Sequence, residues 1–555
     1  MSRISGILAN LAWLAFCLPS TLEFLSALMW PERSQRRLLR RMLLHWTSTR
    51  YARDTRAGAA VRSAEDFLTL PVADYESLRP YIRAIQSGES GVLTAEPVVV
   101  LQPTSGTGAA PKLIPFTRSL QRQYQAALAP WMATLFILRP RLLFGRQYWC
   151  LSPNTRPTAE QSSAVPVGFA DDAEYLGAWQ RLFARRLFVA PADLARVQDP
   201  EAFEFLTLLF LVRESNLRLV SVWHPSFLTL LLDALPQHAA ALRACLRSGE
   251  LPSELRLSEG LRTSLSRHLG PNPRRAAETT RIDLADPDKV RRLWPHLQVI
   301  SCWTGRGAEP WVERLRERFP GVAIQGKGLM ATEGVVTIPW GFRGRFVCAV
   351  RSHFLEFLEP DSVRAKRCWE IEPGETSSVV ITTGGGLWRY RLGDLVRMTG
   401  RVGRAPCLEF MGREGIVSDI CGEKLTLADA EAALADAAAA TAVRFPFAML
   451  VPEYSNGAAG YELLVQPPAA PAADLAMCAR TVDEGLQRNY HYRHARRLGQ
   501  LRPVEVRVIL GDAERQYRAH LLRLGARHGD VKYPALRIEK DWPAAFELEE
   551  CAGES

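Results

Sequence analysis

The chain has 555 residues, 47% hydrophobic and 23% charged, so it can bury a sizeable core and is long enough for more than one domain. That composition excludes dominant disorder, and 38 Gly with 36 Pro exclude collagen-like and low-complexity classes. The 69 Lys+Arg against 59 Asp+Glu leave a net charge of +10, spread without a long basic block. Such a bias suits anionic ligands rather than a nucleic-acid footprint.

The N-terminus carries an apolar run, residues 4–22, broken by Ser5, Asn10 and Pro19 and followed by Glu23 and an arginine-rich stretch at 33–41. The run is too short and interrupted to span a bilayer comfortably, and no small-x-small cleavage site follows it. It reads as a pair of helices within residues 1–55 packing on the body of the protein. The alternative is a peripheral membrane contact through Trp13, Phe16 and the arginines. From about residue 60 to 420 short apolar runs (98–101, 217–222, 297–301, 335–338, 378–382) alternate with helical stretches (118–135, 200–213, 227–234, 311–318). This alternation predicts a large layered α/β domain, residues 1–420. Beyond Gly422 an Ala-rich helix (427–439), a strand (461–465), a helix (475–488) and a strand (504–509) predict a small α+β domain, residues 421–555. The hinge falls near 413–424.

Only seven of the basic residues are Lys, at 112, 289, 327, 366, 424, 532 and 540; the other 62 are Arg. Where Arg supplies nearly every generic charge, a retained Lys becomes a candidate for chemistry that needs a compact ammonium. Lys289, Lys366 and Lys540 read as accidental, whereas the other four fall in the motifs below. The ten cysteines are scattered without a CxxC pair, which predicts reduced thiols and a cytoplasmic protein. His491 and His494 lack a carboxylate neighbour and do not read as metal ligands.

Four segments carry chemistry. Residues 102–117 (Gln-Pro-Thr-Ser-Gly-Thr-Gly-Ala-Ala-Pro-Lys-Leu-Ile-Pro-Phe-Thr) follow a strand and precede a long helix. Backbone N–H groups, hydroxyls and Lys112 in such a loop can cradle phosphates, although Pro111 and Leu113 around the Lys exclude a Walker A loop. Thr332-Glu333, behind the Gly-containing segment 325–328, could hold a phosphate and Mg²⁺. An Asp in a tight turn, as in Tyr390-Arg-Leu-Gly-Asp394, can accept two bonds from a ribose diol. Phe410-Met-Gly412-Arg413-Glu-Gly415, followed by Ser418-Asp419 and Gly422-Glu423-Lys424, sits where the composition changes, open to both a hinge and a ligand reading. Gly-x-Ser-x-Gly is absent, and Cys302 reads as core rather than nucleophile.

In this order the four segments resemble the adenylate-forming superfamily: its phosphate loop at 104–112, its Thr-Glu at 332–333, its Tyr-Arg-x-Gly-Asp at 390–394 and its hinge Gly-Arg at 412–413. Phe67, Leu70-Pro71, Tyr75-Glu76, Pro80-Tyr81-Ile82, Gly88, Val222-Trp223-His-Pro-Ser-Phe227, Ser301-Cys-Trp303 and Asn489-Tyr490 are more narrowly similar to the auxin-responsive Gretchen Hagen acyl acid amido synthetases, bacterial type. The resemblance runs from about 60 to 540 and implies the adenylate-forming fold with a small mobile C-terminal domain. It implies ATP- and Mg²⁺-dependent activation of a carboxylic acid as acyl-AMP, then transfer to an amine, typically an amino acid. Transfer to a thiol on CoA or a carrier protein would use the same first step. A non-catalytic binder of ATP or acid is the reading in which Ala109, where the family has Gly, spoils the loop at a cost of about 1 kcal/mol or more. Carried over residue by residue, Thr104, Ser105, Gly106, Thr107 and Lys112 would hold the terminal phosphates. Thr332 would touch the α-phosphate, Glu333 the Mg²⁺, and Asp394 with Arg413 the ribose, while Gly328 and Leu329 would run along the adenine. Lys532, in Gly-Asp-Val-Lys-Tyr-Pro (529–534), would reach the α-phosphate during adenylation. Trp223, His224 and Trp303 are the candidates for the acid pocket, and a monomer is expected. Leu329-Met330 replaces a common Tyr-Gly and Asp530 a Gln, departures that remove no required charge.

Overall fold

The computed structural model describes residues 3–55, 61–104, 112–150, 163–169, 183, 186–305, 308–359, 362, 364–414, 417–418, 420–421, 423–453, 459–468, 474–497, 499–524, 526, 531–539 and 542–549. They form two compact units. One is built from Met1–Leu392 and Val396–Phe410, the other from Gly393–Leu395, Met411–Ala526 and Val531–Ser555.

The first unit opens with α1 (Arg3–Met29) and α2 (Pro31–Leu43). Two faces of α1 differ: Ala9, Trp13, Cys17, Phe24 and Leu28 are buried, at the 3–4 residue spacing of a helical stripe. Asn10 lies within that stripe because its amide donates to the carbonyls of Leu143 and Gly145, each at 3.0 Å. Strands β1 (Val100–Pro103) and β2 (Leu113–Phe116) pair antiparallel. They lead into the helix Arg118–Leu138, whose N-cap hydroxyl, Thr117, accepts from Leu120 N–H at 3.1 Å. Such caps contribute about 1 kcal/mol.

A four-stranded parallel sheet follows, β3 (Arg146–Trp149), β4 (Leu217–Ser221), β5 (Val299–Cys302) and β6 (Ala323–Gly326), in that spatial order. The helix Pro200–Arg213, predicted from residues 200–213, is capped by Asp199 and has Pro200 at its first turn. It is apolar on every side and almost wholly buried, the pattern of a helix inside a core. The strand expected over 335–338 is divided. Gly334–Val335 (β8) pairs with Met330–Ala331 (β7), whereas Thr337–Pro339 (β9) pairs with Phe346–Cys348 (β10). Val336 between them donates instead to Leu329 C=O at 2.9 Å, because the chain folds back at Gly328. Strands β9, β10, β11 (Phe354–Leu358), β12 (Lys366–Arg367), β13 (Thr376–Thr382), β14 (Tyr390–Val402) and β15 (Ala405–Arg413) form one seven-stranded sheet, ordered β12-β11-β13-β14-β15-β10-β9.

In the second unit, Leu427–Thr441 starts at a capping box of Thr426 and Asp429. Its small residues Ala430, Ala433 and Ala437 are buried against Leu475–Leu486, where a Cβ on Gly485 would come within 2.9 Å of Ala433. The sheet behind them orders Phe447–Glu453, Gly460–Gln466 and Glu505–Val508, the first pair antiparallel and the second parallel.

Candidate active site

The β1–β2 ladder runs from Val100↔Phe116 to Pro103↔Leu113 and is extended by Thr104 N–H donating to Lys112 C=O at 2.8 Å. This register brings Thr104 and Lys112 opposite one another at the mouth of the glycine-rich loop; Ser105, Gly106, Thr107 and Ala109 lie outside the described residues. The Lys112 ammonium sits 3.5 Å from Tyr390 Oη and 5.6 Å from the centre of the Tyr75 ring. Tyr75 is fixed in turn by Leu113 N–H, which donates to its Oη at 2.7 Å. Among the described residues no carboxylate forms an ion pair with Lys112.

Thr332 and Glu333 are the two turn residues of the β7–β8 hairpin, with Ala331 opposite Gly334. The hydroxyl of Tyr124, on the helix that follows β2, lies 2.5 Å from Ala331 C=O and 2.8 Å from Thr332 C=O. On its other side the turn is packed so closely that a Cβ on Gly334 would stand 2.6 Å from Ile381 Cδ1 and 2.8 Å from His353 Nε2. His353 is fully buried, and desolvation pushes its imidazole down to about 3, so the ring is neutral. Its Nδ1 bonds Gln123 Oε1 at 3.1 Å, and that oxygen also accepts from Gly384 N–H at 2.8 Å. Gln123, Tyr124 and His353 thus tie the Thr-Glu turn to the glycine segment 384–386. Glu333 itself is buried. Gly328 has φ of +78°, and a Cβ there would meet Thr337 C=O at 2.7 Å. Leu329 N–H donates to Thr337 Oγ1 at 2.8 Å, so backbone of the expected adenine-side segment is held against β9.

Aromatic side chains gather at the carboxyl ends of the parallel strands, where open α/β sheets bind ligands. Trp149, Ser221, Ser301 and Gln325 stand side by side across β3–β6. The Lys327 ammonium donates to Ser221 Oγ at 2.6 Å and lies 5.0, 5.4 and 5.1 Å from the rings of Trp131, Trp149 and Trp223. Trp223 in turn lies 5.8 Å from Trp303. Lys327 is 3% exposed, and burial pushes its ammonium down to about 8. Among the described residues it forms no ion pair, and Ser301 Oγ is buried without a hydrogen-bond partner. His224, by contrast, is the N-cap of Pro225–Asp233: its Nδ1 accepts from Ser226 N–H at 3.3 Å and meets Ser226 Oγ at 2.6 Å. Burial pushes the Cys302 thiol up to about 12, which removes it as a nucleophile.

In the second unit Arg413 Nε donates to Asp394 Oδ1 at 3.1 Å, and Asp394 is 6% exposed. Glu414 N–H donates to Gly393 C=O at 2.6 Å, closing the pair of turns at Gly393 (φ +81°) and Gly412 (φ +143°). Lys532 is exposed between the buried Val531 and the half-buried Tyr533, whose ring lies 5.1 Å from Tyr517. Its segment is pinned to the sheet by Leu450, which donates to Ala535 C=O at 2.8 Å and accepts from Arg537 N–H at 2.9 Å.

Comparison with known proteins gives a match to the GH3 family N-terminal domain over residues 22–324, to its central domain over 346–413 and to its C-terminal domain over 428–540. The chain belongs to the GH3 family. It is 25% identical to indole-3-acetic acid-amido synthetase GH3.17 of Arabidopsis thaliana, over 86% of each chain. It is 24% identical to the probable indole-3-acetic acid-amido synthetase GH3.4 of Oryza sativa subsp. japonica, over 90% of this chain and 85% of the relative. The structure of AtGH3.15 acyl acid amido synthetase in complex with 2,4-DB superposes with a TM-score of 0.83 at 21% identity, covering 95% of both chains. The fold is therefore that of GH3 proteins.

In this GH3 chain the first unit holds Thr104, Lys112, Gly328, Leu329, Thr332, Glu333, Trp223 and Trp303, and the second holds Asp394, Arg413 and Lys532. Sequence reading missed the supporting side chains. Tyr75 and Tyr390 stand inside named motifs, but their place beside Lys112 is not legible there. Trp131, Trp149, Tyr124 and His353 carried no local signal, because long-range packing alone brings them to the site.

Proposed function

We propose that this GH3 protein is an ATP-dependent acyl acid amido synthetase. The observation that carries the reading is the register that sets Thr104 and Lys112 face to face across the loop, with the Lys112 ammonium beside two tyrosines and in no close ion pair among the described residues, the Asp74 carboxylate feeling its charge only at longer range. A compact cation so placed suits a polyphosphate. Carboxylate oxygen of the acid attacks the α-phosphorus of ATP, the bond to the bridging oxygen breaks, and pyrophosphate leaves. The amine nitrogen then attacks the acyl carbon, the carbon–oxygen bond to AMP breaks, and the nitrogen loses its proton. Positioning and charge neutralisation supply most of the rate in such chemistry.

Lys112 and Thr104 hold the terminal phosphates, Thr332 lies at the α-phosphate, and Asp394, oriented by Arg413, takes the ribose hydroxyls. Lys532 serves adenylation. Glu333 fits Mg²⁺: it is a buried hard-oxygen donor at a two-residue turn, and one protein carboxylate suffices when phosphate oxygens and water complete the shell. Bound there, the ion would neutralise phosphate charge. The acid enters the tryptophan-walled end of the parallel sheet, where Trp223 and Trp303 present apolar faces and Lys327 holds the carboxylate. An aromatic or otherwise apolar acid suits that wall. The amido synthetase names of the relatives point to an amide product; the acceptor amine is an amino acid, and the enzyme acts as a cytoplasmic monomer.

ATP–pyrophosphate exchange with a panel of carboxylic acids, followed by mass spectrometry of products formed with amino acids, tests this. Acid-dependent exchange falling at least a hundredfold in Lys112→Ala and Lys532→Ala, with an amide product from the parent enzyme, is the expected result. Exchange with a CoA thioester as the only product would overturn the amide half of the reading.

A further inference from the structure

Helix α1 is apolar on both of its faces, and only one of them is covered. Its inner face is fastened to the body by the buried side chains named above and by Arg404 N–H, which donates to Leu28 C=O at 2.8 Å. The outer face carries Ile4 at 69% exposure, Leu8 at 61%, Leu22 at 65% and Trp30, just beyond its end, at 57%. Phe16, Leu25 and Met29 are also exposed. Only 33% of its most apolar 18-residue window is buried, so it is not the core helix of a soluble domain. The helix is about 40 Å long. A bare apolar stripe of that length marks an interaction surface. The single acid on that face, Glu23, is tied to Arg351.

Where α1 ends, a cavity of about 900 Å³ begins at Met29 and Trp30. Seven arginines line it, against one acid, Glu32, which is engaged by Arg36 at 2.9 Å. Among the described residues Arg33, Arg37, Arg40, Arg41 and Arg404 form no ion pair. The Arg404 guanidinium lies 5.3 Å from the Trp30 ring. Guanidinium groups fork onto phosphate oxygens. Five unpaired ones converging beside an apolar stripe, with a tryptophan at the junction, match the two layers of a membrane surface: acyl chains under α1 and phosphodiester headgroups at the arginines.

We propose that α1 lies flat in the interface of an anionic phospholipid membrane, with the arginine-lined cavity taking lipid phosphodiester headgroups. Spanning is excluded by the same geometry, since the inner face, with Asn10 bonded to two carbonyls, belongs to the protein.

The test is co-sedimentation of the full chain with vesicles of phosphatidylcholine and phosphatidylglycerol at 3:1, and with phosphatidylcholine alone. Binding to the mixed vesicles should be at least about tenfold tighter than to neutral ones and should weaken with salt. Leu8→Glu with Leu22→Glu, and separately Arg37→Glu with Arg40→Glu and Arg41→Glu, should each lower it about tenfold or more while the unfolding temperature and acid-dependent exchange stay at parent values. Failure to bind either vesicle, or binding unaffected by both variants, overturns the proposal. So does light scattering that shows a dimer in solution converted to monomer by Leu8→Glu with Leu22→Glu, since α1 would then face a second copy of the chain.

Discussion

Replacing Lys327 by Met should separate stability from activity, because the ammonium is buried at a cost that only a bound anion repays. Met keeps the length of the side chain and removes its charge. Burial lowers the ammonium from 10.5 to about 8, and at about 1.4 kcal/mol per unit this is about 3 kcal/mol of unfavourable desolvation in the charged protein. Three tryptophan faces return part of it, on the order of 1 kcal/mol each. Unliganded Lys327→Met is therefore as stable as the parent at pH 7, or more stable by up to about 3 kcal/mol. The pH dependence has a definite sign. Between pH 8 and 10.5 the unfolded chain keeps the proton that the native Lys327 has lost, so parent stability rises with pH across that window, and the variant loses this rise. Acid binding moves the other way: losing a desolvated charge partner should lower kcat/KM for the acid on the order of a hundredfold, with the ATP KM unchanged. Urea unfolding at pH 7 and 9.5, beside acid-dependent exchange, reads both. A variant destabilised by more than about 2 kcal/mol at pH 7 that keeps its kcat/KM would show that Lys327 is a strut between tryptophans.

Gly334→Ala puts a methyl group 2.6 Å from Ile381 Cδ1 and 2.8 Å from His353 Nε2. Overpacking of this kind costs about 1–3 kcal/mol and displaces the Thr-Glu turn, so both the unfolding temperature and the exchange rate should fall; two unchanged values would contradict the clamp. His353→Gln tests the buried imidazole. With its value at about 3 against 6.5, the unfolded state takes up a proton as pH falls below 6.5 while the native state does not. The parent therefore loses about 2 kcal/mol between pH 6.5 and 5, and the variant should show a flatter profile in urea titrations at those two pH values.

Sequence periodicity carried the elements whose pattern is local. Residues 200–213 hold a cap, a first-turn Pro and an unbroken apolar run, and the helix occupies those residues. The run 335–338 was equally apolar, yet it is cut at Val336, because the positive φ at Gly328 throws Leu329 back against it and two hairpins compete for one strand. Nothing within four residues of Val336 announces that contact. The same distinction governs the site. The flanks of the 104–112 loop and the Thr-Glu turn are each contiguous in sequence, so they stand out as candidates there. The side chains that hold them, Tyr75, Tyr124, His353 and Tyr390, come from separate elements and meet only in three dimensions. His224 has a role that is legible locally: the residue after it is Pro225, the first turn of a helix that needs a cap, and the imidazole Nδ1 supplies it.

The lysines show how far composition alone can reach. Scarcity singled out all seven equally, and folding sorts them by partner. Lys289 pairs with Asp286 at 2.8 Å and Lys366 with Glu375 at 2.9 Å, both at the surface, where an arginine would serve as well. Lys112 and Lys327 meet aromatic rings and hydroxyls and, among the described residues, form no close ion pair with a carboxylate. At Lys112 and Lys327 a compact ammonium stands among rings and hydroxyls, where a planar, five-donor fork would fit less well. Arginine is kept for the opposite task at α1, where Arg37, Arg40 and Arg41 stand at an open surface and a wide fork onto many equivalent phosphates is the better match. On the readings proposed above, the ammonium at Lys112 and Lys327 suits a polyphosphate and a single carboxylate, and the guanidinium groups at α1 suit an array of headgroups.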